Sequence, residues 1–248
     1  MDKKIDKILK KVQKATHYTG GELNSVMKDP EKVDIRYAFA FPDVYEVGMS
    51  HLGIKILYNV LNKREDTYCE RVFAPWIDME AEMRKEGVSL FTNETQTEVK
   101  KFDFLGITLQ YEMCYTNVLN MLELSNIPLR SCDRGEDDPF VNGGGPCAYN
   151  AEPLADIFDF FTMGEGEEVI NELMDAFKEW KKSGKPRKEY LKRIAQIEGI
   201  YVPSFYDVKY NDDGTIKSMT PNCAQAKPKI KKRIISDLDK VVYPDKFI

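Results

Sequence analysis

The stretch Ile35–Phe41, with the sequence Ile-Arg-Tyr-Ala-Phe-Ala-Phe, decides the fold class. It is short and nearly continuously apolar, and it stops at Pro42, which is typical of a β-strand buried on both faces. After it, apolar residues in the segment 49–62 fall on one face of a helix, and Ser50 is a candidate helix cap. The pattern predicts a strand, a loop and a helix in succession.

The same alternation continues outward to about residue 182. Further strands are predicted at 68–73, 104–109, 140–142 and 158–163, and further helices at 77–85, 115–124 and 167–182. Helical connections of this length join parallel strands through right-handed crossovers and cover both faces of the sheet. The sequence therefore predicts a doubly wound α/β domain with a parallel five-stranded sheet.

Both ends of the chain differ from this central part. Residues 1–29 begin with a lysine-rich helix, and residues 185–248 contain a helix at 187–197 and a β-hairpin that turns at Asn-Asp-Asp-Gly, residues 211–214. We therefore divide the chain into a lead-in at 1–29, an α/β domain at 30–184 and a helix and hairpin extension at 185–248. The last eight residues are apolar, and we expect a further segment to follow them.

The composition is that of a globular protein, with 42% hydrophobic and 31% charged residues among 248. The net charge of -5 gives no basic field, so a nucleic-acid partner is not indicated. Neither an apolar run of ~18 residues nor a signal peptide is present, so we expect no membrane partner and a cytoplasmic location. The five cysteines form no Cys-x-x-Cys motif, which argues against a self-contained metal site.

Ligands of an open parallel sheet bind beyond the carboxyl ends of its strands, where the strand order reverses. Four loops of this chain follow predicted strands in that way, at 41–53, 109–112, 143–146 and 164–167. Together they favour a large flat ligand that is contacted mostly by backbone. The candidate cofactor-binding residues are Asp43, Tyr45, Gly48, Met49, His51, Leu52, Leu109, Gln110, Tyr111, Glu112, Gly144, Gly145, Pro146, Gly164, Glu165, Gly166 and Glu167.

Each of these signals also has an ordinary structural explanation. Glycines commonly make turns where a strand leads into a helix. Glu165 and Glu167 suit a helix N-terminus, and a histidine such as His51 is more often a capping or surface residue than a ligand. The residues hardest to explain by packing are Tyr45, Tyr111 and Glu112. No nucleophile with a base and no carboxylate pair is suitably spaced, so we predict binding and no catalytic residue.

The loops also carry a resemblance. Four stretches resemble the N-terminal cobalamin-binding domain of B12-dependent radical SAM proteins: residues 41–53, which include the motif Pro-Asp-Val-Tyr-Glu-Val-Gly-Met-Ser at 42–50, Leu-Gln-Tyr-Glu at 109–112, Gly-Gly-Pro at 144–146 and Gly-Glu-Gly-Glu at 164–167. The resemblance covers about residues 18–170, and the first motif is similar to an uncharacterised bacterial subgroup. It implies a flavodoxin-like (Rossmann-like) sheet with the corrin over its carboxyl edge and the nucleotide tail between the loops.

Two departures from the family pattern refine this expectation. Cobalamin domains with an axial histidine use Asp-x-His-x-x-Gly, whereas residues 49–53 read Met-Ser-His-Leu-Gly. The resemblance therefore implies base-off cobalamin without a histidine ligand. The cysteine triad of the radical SAM barrel is also missing, so a [4Fe-4S] cluster and S-adenosylmethionine are expected only in a full-length parent, whose downstream radical SAM domain is the expected partner.

The implied role is to present methylcobalamin for methyl transfer or a related radical reaction on an unknown substrate. Two other functions stay open from the residues. The domain is alternatively a cobalamin-free docking domain for a substrate or partner. A flavodoxin-like binder of a flavin or nucleotide ranks third, because no phosphate-binding loop follows the first strand, and dinucleotide binding is disfavoured by the lack of Gly-x-Gly-x-x-Gly. Gly145→Val is predicted to abolish cobalamin binding with little effect on the fold.

Overall fold

The computed structural model describes residues 3–248, and the first two residues of the predicted leading helix lie outside this range. The helices are α1 (Lys3–Leu9), α2 (Tyr45–Ser50), α3 (Leu52–Lys63), α4 (Ile77–Glu86), α5 (Tyr115–Leu124), α6 (Gly166–Ser183) and α7 (Arg187–Ile194). The strands are β1 (Ile35–Phe41), β2 (Thr67–Phe73), β3 (Phe104–Thr108), β4 (Phe140–Gly144), β5 (Phe160–Thr162), β6 (Ile200–Tyr201), β7 (Tyr206–Tyr210) and β8 (Ile216–Pro221).

The described residues form a central six-stranded sheet in the order β2-β1-β3-β4-β5-β6. Strands β1 to β5 are mutually parallel, and they follow the 2-1-3-4-5 order of flavodoxin-like sheets. The chain moves outward from β1 to β2 and then crosses back to β3. The strand order therefore reverses between β1 and β3, and this point is where ligands bind in such sheets.

The prediction of five parallel strands was wrong in one respect, because β6 is a sixth strand and runs antiparallel to β5. It comprises only two residues, Ile200–Tyr201. A strand of that length has no periodicity that a sequence pattern can reveal. The β7–β8 hairpin itself is present as predicted, with its turn at residues 211–214.

The helix predicted at 49–62 is interrupted. His51 has an extended backbone, with φ of -80° and ψ of 118°, so α2 ends before it and α3 begins after it. The cap of α3 is His51, whose Nδ1 accepts a hydrogen bond from the backbone N–H of Ile54. Ser50 is not the cap, because its hydroxyl donates to the carbonyl of Val47.

Side chains alternate between the two faces of β1. Tyr37, Phe39 and Phe41 pack among residues of α3, α6 and α7, whereas Ala38 and Ala40 face the layer that contains α1, α4 and α5. Burial of each large apolar side chain contributes about 1.5–3 kcal/mol, so both layers are needed to hold the sheet. The structure is therefore helix, sheet, helix, as the buried first strand predicted.

A buried charged group attaches α7 to the sheet. Asp159, which is 4% exposed, accepts hydrogen bonds at 2.9 Å from Arg134 and at 3.0 Å from Arg187, the first residue of α7. It also accepts the backbone N–H of Val141 on β4 at 2.7 Å. One carboxylate thus joins β4, the segment before it and α7.

Across residues 3–248, no helix combines the length and the apolar character that crossing a bilayer requires.

Candidate functional site

A cleft of about 240 Å³ opens at the carboxyl edge of the sheet, beside the point where the strand order reverses. Residues of β1, β3, β4 and β5 form its floor, and α3 and α6 form its sides. Its apolar lining consists of Phe39, Leu57, Ile107, Val169, Ile170 and Leu173. Pockets that hold a whole drug-sized ligand measure ~300–1,000 Å³, so this cleft suits one ring system of a larger molecule.

The floor of the cleft carries a polar pair. The Nδ2 of Asn142 donates to the hydroxyl oxygen of Tyr37 at 3.0 Å, and the Tyr37 hydroxyl donates to Asn142 Oδ1 at 3.2 Å. Asn142 is 8% exposed and Tyr37 is 2% exposed. Burial raises the pKa of Tyr37, so the hydroxyl keeps its proton.

A glycine makes room for this pair. Gly106 of β3 lies between Phe39 of β1 and Asn142 of β4 in the strand register. A Cβ atom at Gly106 would lie 1.9 Å from the hydroxyl oxygen of Tyr37. The phenol therefore crosses β3 through the space of the missing side chain and reaches β4.

Five glycines line the cleft, and the four that lie at or after the ends of β4 and β5 differ in whether a side chain would fit there. Gly145 and Gly164 have φ of +94° and +104°, and a Cβ there would lie 2.8 Å from Leu109 O and 2.1 Å from Arg233 O, respectively. A Cβ at Gly166 would lie 3.2 Å from the side chain of Leu57. At Gly144, by contrast, the nearest atom would be 3.9 Å away, so only this one of the four can take a side chain without strain.

This geometry changes the interpretation of Gly145→Val. A valine at Gly145 would require a left-handed backbone and would collide with the Leu109 carbonyl, so it would disturb the loop itself. Loss of binding by that variant would not separate a blocked cleft from a damaged loop. Gly144→Val is the cleaner substitution, because its side chain enters free space that lines the cleft.

His51 lines the cleft, and one of its ring nitrogens caps helix α3. Its Nδ1 accepts the N–H of Ile54 at 3.3 Å. A neutral imidazole has only one acceptor nitrogen, so Nε2 carries the proton while the cap is intact. In this arrangement His51 has no free lone pair for a metal.

The loops after β1 and β3 are joined by a short hydrogen bond. The hydroxyl of Tyr111 donates to Asp43 Oδ2 at 2.6 Å, while Asp43 Oδ1 accepts the backbone N–H of Val44 at 2.7 Å. The bond to the carboxylate raises the pKa of Tyr111 to about 12. The pair spans the switch point and fixes the spacing of the two loops.

Tyr45 belongs to a second cleft, of about 230 Å³, which lies on the other side of the loop after β1. Its ring stacks on His17 with centroids 4.7 Å apart, and its hydroxyl donates to Glu22 at 3.0 Å. Burial of Tyr45 raises its pKa to about 12. The loop at 41–53 thus separates two clefts, although the sequence suggested a single site.

Other predicted residues of this loop contribute to packing. A Cβ at Gly48 would lie 2.4 Å from the Phe73 ring, so this glycine permits close contact between α2 and β2. The sulfur of Met49 accepts a hydrogen bond from Arg71 at 2.9 Å. Leu52 points outward and is 49% exposed.

The C-terminal residues cross the carboxyl edge next to β5. Arg233 forms a parallel bridge with Gly164, and its carbonyl accepts the N–H of Glu165 at 3.2 Å. The side chain of Glu165 accepts the N–H of Ile235. Glu165 therefore anchors this returning segment, and Arg233 pairs with Glu168 and Glu172 of α6.

Comparison with known proteins gives a family. The profile of the family described as radical SAM proteins, N-terminal, matches residues 53–203. The chain belongs to this family. The matched region contains the motifs at 109–112, 144–146 and 164–167, whereas all of the stretch 41–53 except its last residue precedes it.

One relative of this radical SAM N-terminal domain is the uncharacterized protein MJ0966 of Methanocaldococcus jannaschii. The two are 26% identical over 184 residues, which is 70% of this chain and 36% of the relative. The chain thus spans about a third of that protein's length. No solved structure matches the chain.

The radical SAM N-terminal domain brings about half of its predicted site residues together. Those that line the cleft between α3 and α6 are His51, Gln110, Gly144, Gly145, Gly164, Glu165, Gly166 and Glu167. Those that do not line it are Asp43, Tyr45, Gly48, Met49, Leu52, Leu109, Tyr111, Glu112 and Pro146. Among the latter, Leu109 is buried and holds the loops together, since its N–H donates to Gly144 O at 2.7 Å.

Sequence reasoning missed several residues that line the cleft, above all Tyr37, Thr108, Asn142 and Thr162. All four lie within strands, whereas the predicted site residues come from segments that the sequence analysis places at or after the strand ends. A usable signal was present, because a polar residue at an alternate position of a buried strand needs a partner or a ligand. Asn142 in the predicted strand 140–142 fits that description.

No three metal-ligating side chains lie together among residues 3–248.

Proposed function

We propose that this domain binds cobalamin in its base-off form and presents it for methyl transfer or a related reaction of a radical SAM enzyme. The observation that carries the proposal is the cleft between α3 and α6, which opens at the switch point and is bordered by small residues. Family membership supports a radical SAM context, and the position of the cleft supports a ligand at this edge.

The residues present fit a cofactor of this shape. The cleft is too small for a whole corrin and large enough for the base of a nucleotide tail. Above it, Gly144, Gly145, Gly164 and Gly166 have no side chain that would hold a flat macrocycle away from the backbone at these four positions. His51 lines the same cleft with its acceptor nitrogen already in use, which favours the base-off form without a protein ligand.

When bound, the cofactor supplies a methyl group carried on cobalt, and the protein supplies binding, orientation and exclusion of water. Leu57 on α3 and Ile170 and Leu173 on α6 would exclude water from the tail. Gln110 donates to Thr108 Oγ1 at 2.6 Å, which orients its amide at the mouth. The hydrogen bond between Tyr111 and Asp43 would keep the loops at the spacing the macrocycle needs.

In this proposal the [4Fe-4S] cluster and S-adenosylmethionine belong to a separate radical SAM domain of the same protein, which is the partner of this one. The relative that extends well beyond the matched region supports such an arrangement. All five cysteines of the chain are free, which suits the reducing cytoplasm that we propose as its location.

The test is a titration of the purified chain with hydroxocobalamin and with methylcobalamin, followed by desalting and an absorbance spectrum. We expect retained colour with a base-off spectrum. A protein that emerges colourless after both titrations would contradict cobalamin binding by this domain and would favour a cobalamin-free docking role.

A further inference from the structure

We propose that Tyr37 and Asn142 determine specificity for the lower base of the cofactor, by donating a hydrogen bond to the ring nitrogen that base-off cobalamin leaves without cobalt. This inference rests on the proposed function. It names the side-chain atoms that would recognise the nucleotide tail. It also gives a role to a buried polar pair that the fold alone does not require.

The pair of Tyr37 and Asn142 has one hydrogen-bond donor that is not used within the pair. Asn142 Nδ2 carries two hydrogens, and one of them is directed to the Tyr37 oxygen at 3.0 Å. Within the described residues, Tyr37 is the hydrogen-bond partner found for the Asn142 side chain. The Tyr37 hydroxyl donates to Asn142 Oδ1 at the longer distance of 3.2 Å, and this proton would have to turn away from Oδ1 to reach a ligand, so the second hydrogen of Nδ2 is the available donor.

Packing alone does not require polar side chains at this position. Phe39, Leu57 and Leu173 line the same cleft with apolar side chains. A phenylalanine and a leucine would fill the floor equally well and would avoid the desolvation of two polar groups. The structure instead places Gly106 in the middle of a central strand, where glycine is unfavourable, so that the phenol can reach Asn142.

The chemistry of the ligand follows from these donors. A benzimidazole is a flat bicycle that suits an apolar cleft, and it has one ring nitrogen with a free lone pair when the base is off cobalt. Burying that nitrogen without a partner weakens binding, and a donor at the floor removes this penalty. In the base-on form cobalt occupies the lone pair, so the floor pair favours the base-off form.

The test compares cobalamin with cobinamide, which has the same corrin but no nucleotide tail. Dissociation constants are measured by absorbance titration for the wild-type chain, Tyr37→Phe, Asn142→Leu and the double variant. We expect each single variant to bind cobalamin about tenfold more weakly, as loss of one buried hydrogen bond predicts, and to bind cobinamide as the wild type does. The double variant should lose little more than either single one, because the two side chains act as a unit.

The outcomes separate this inference from the proposed function. Wild-type chain that binds neither corrinoid contradicts both. Wild-type chain that binds cobalamin, together with variants that bind it equally well, contradicts the role of the pair and leaves cobalamin binding standing. Equal weakening for cobalamin and cobinamide means that the pair only supports the fold, and it also overturns the inference. Circular dichroism melts of the four proteins show whether they are folded.

Discussion

The hydroxyl of Tyr37 on β1 contacts the side-chain amide of Asn142 on β4 across the intervening strand β3, at 3.0 Å. The contact is possible because β3 has Gly106 at the crossing point. Gly106 thus has two effects. It weakens a central strand, and it lets the hydroxyl of Tyr37 reach Asn142 at the floor of the cleft.

Gly106→Ala should therefore destabilise the domain. A Cβ there would lie 1.9 Å from the Tyr37 oxygen and 2.5 Å from the ring carbon that bears it, so a buried side chain and the sheet must shift. We expect a loss of about 1–3 kcal/mol in the free energy of unfolding, measured by urea denaturation. Gly135→Ala is the control, since its Cβ would meet only a carboxylate oxygen at 3.9 Å. Equal midpoints for the two variants would mean that Tyr37 does not occupy this space.

Asp43→Asn should lower the pKa of Tyr111 from about 12 toward its ordinary value of 10, because the hydrogen bond to the carboxylate is the main cause of the shift. A raised pKa means that the folded state holds the proton more tightly. The contribution of this bond to stability is therefore complete below about pH 10 and is lost as the pH rises from 10 to 12. Ultraviolet difference titration, with Tyr111→Phe identifying the signal of this tyrosine, measures the shift. An unchanged titration in Asp43→Asn would exclude the bond.

Asp159→Asn should be strongly destabilising. The substitution keeps the shape but removes the charge that Arg134 and Arg187 share, and both guanidinium groups stay buried. Breaking such a buried group typically costs about 3–5 kcal/mol. In contrast, Asp6→Asn removes a surface pair with Lys10 and should change stability by about 0–1 kcal/mol. Chemical denaturation measures the free energy of unfolding of both variants. Similar small losses of stability in Asp159→Asn and Asp6→Asn would show that the ion pairs of Asp159 are exposed to solvent.

His51→Ala should leave the spectrum of bound cobalamin unchanged, because His51 Nδ1 caps α3. The expected effect is a modest loss of stability, about 1 kcal/mol, from the missing helix cap. Absorbance spectra of the loaded wild type and variant, together with their thermal midpoints, check both parts. A change in the cobalt bands would instead identify His51 as a ligand.

The order of strands and helices was readily predicted from the sequence, because β1, β3 and the longer helices have clear apolar periodicity. The break at His51 was not predicted, because the apolar pattern continues through this residue. Its extended backbone conformation is determined by its local role as the cap of α3. The short strand β6 and the return of Arg233 to Gly164 depend on contacts between residues far apart in the chain. No local pattern records such contacts.

The site was predicted only in part, because some of its features also depend on contacts between residues far apart in the chain. Glycine loops at strand ends are visible in sequence, and those after β4 and β5 do border the cleft. The division of the loop at 41–53 between two clefts depends on the position of His17, which the N-terminal segment brings against Tyr45. The polar floor depends on a diagonal contact over three strands, so it required the structure.

The most direct test of the central claim is the amount of cobalamin that remains bound after desalting in the wild type, Gly144→Val and Gly135→Val. A Cβ at position 144 would meet no atom closer than 3.9 Å, so valine there places its side chain in the lining of the cleft, whereas valine at position 135 makes the same change in a glycine that does not line the cleft. We predict about one base-off cobalamin per chain in the wild type and in Gly135→Val, and little in Gly144→Val with an unchanged melting temperature. Equal retention by all three proteins, or none by the wild type, would contradict cobalamin binding in the cleft between α3 and α6.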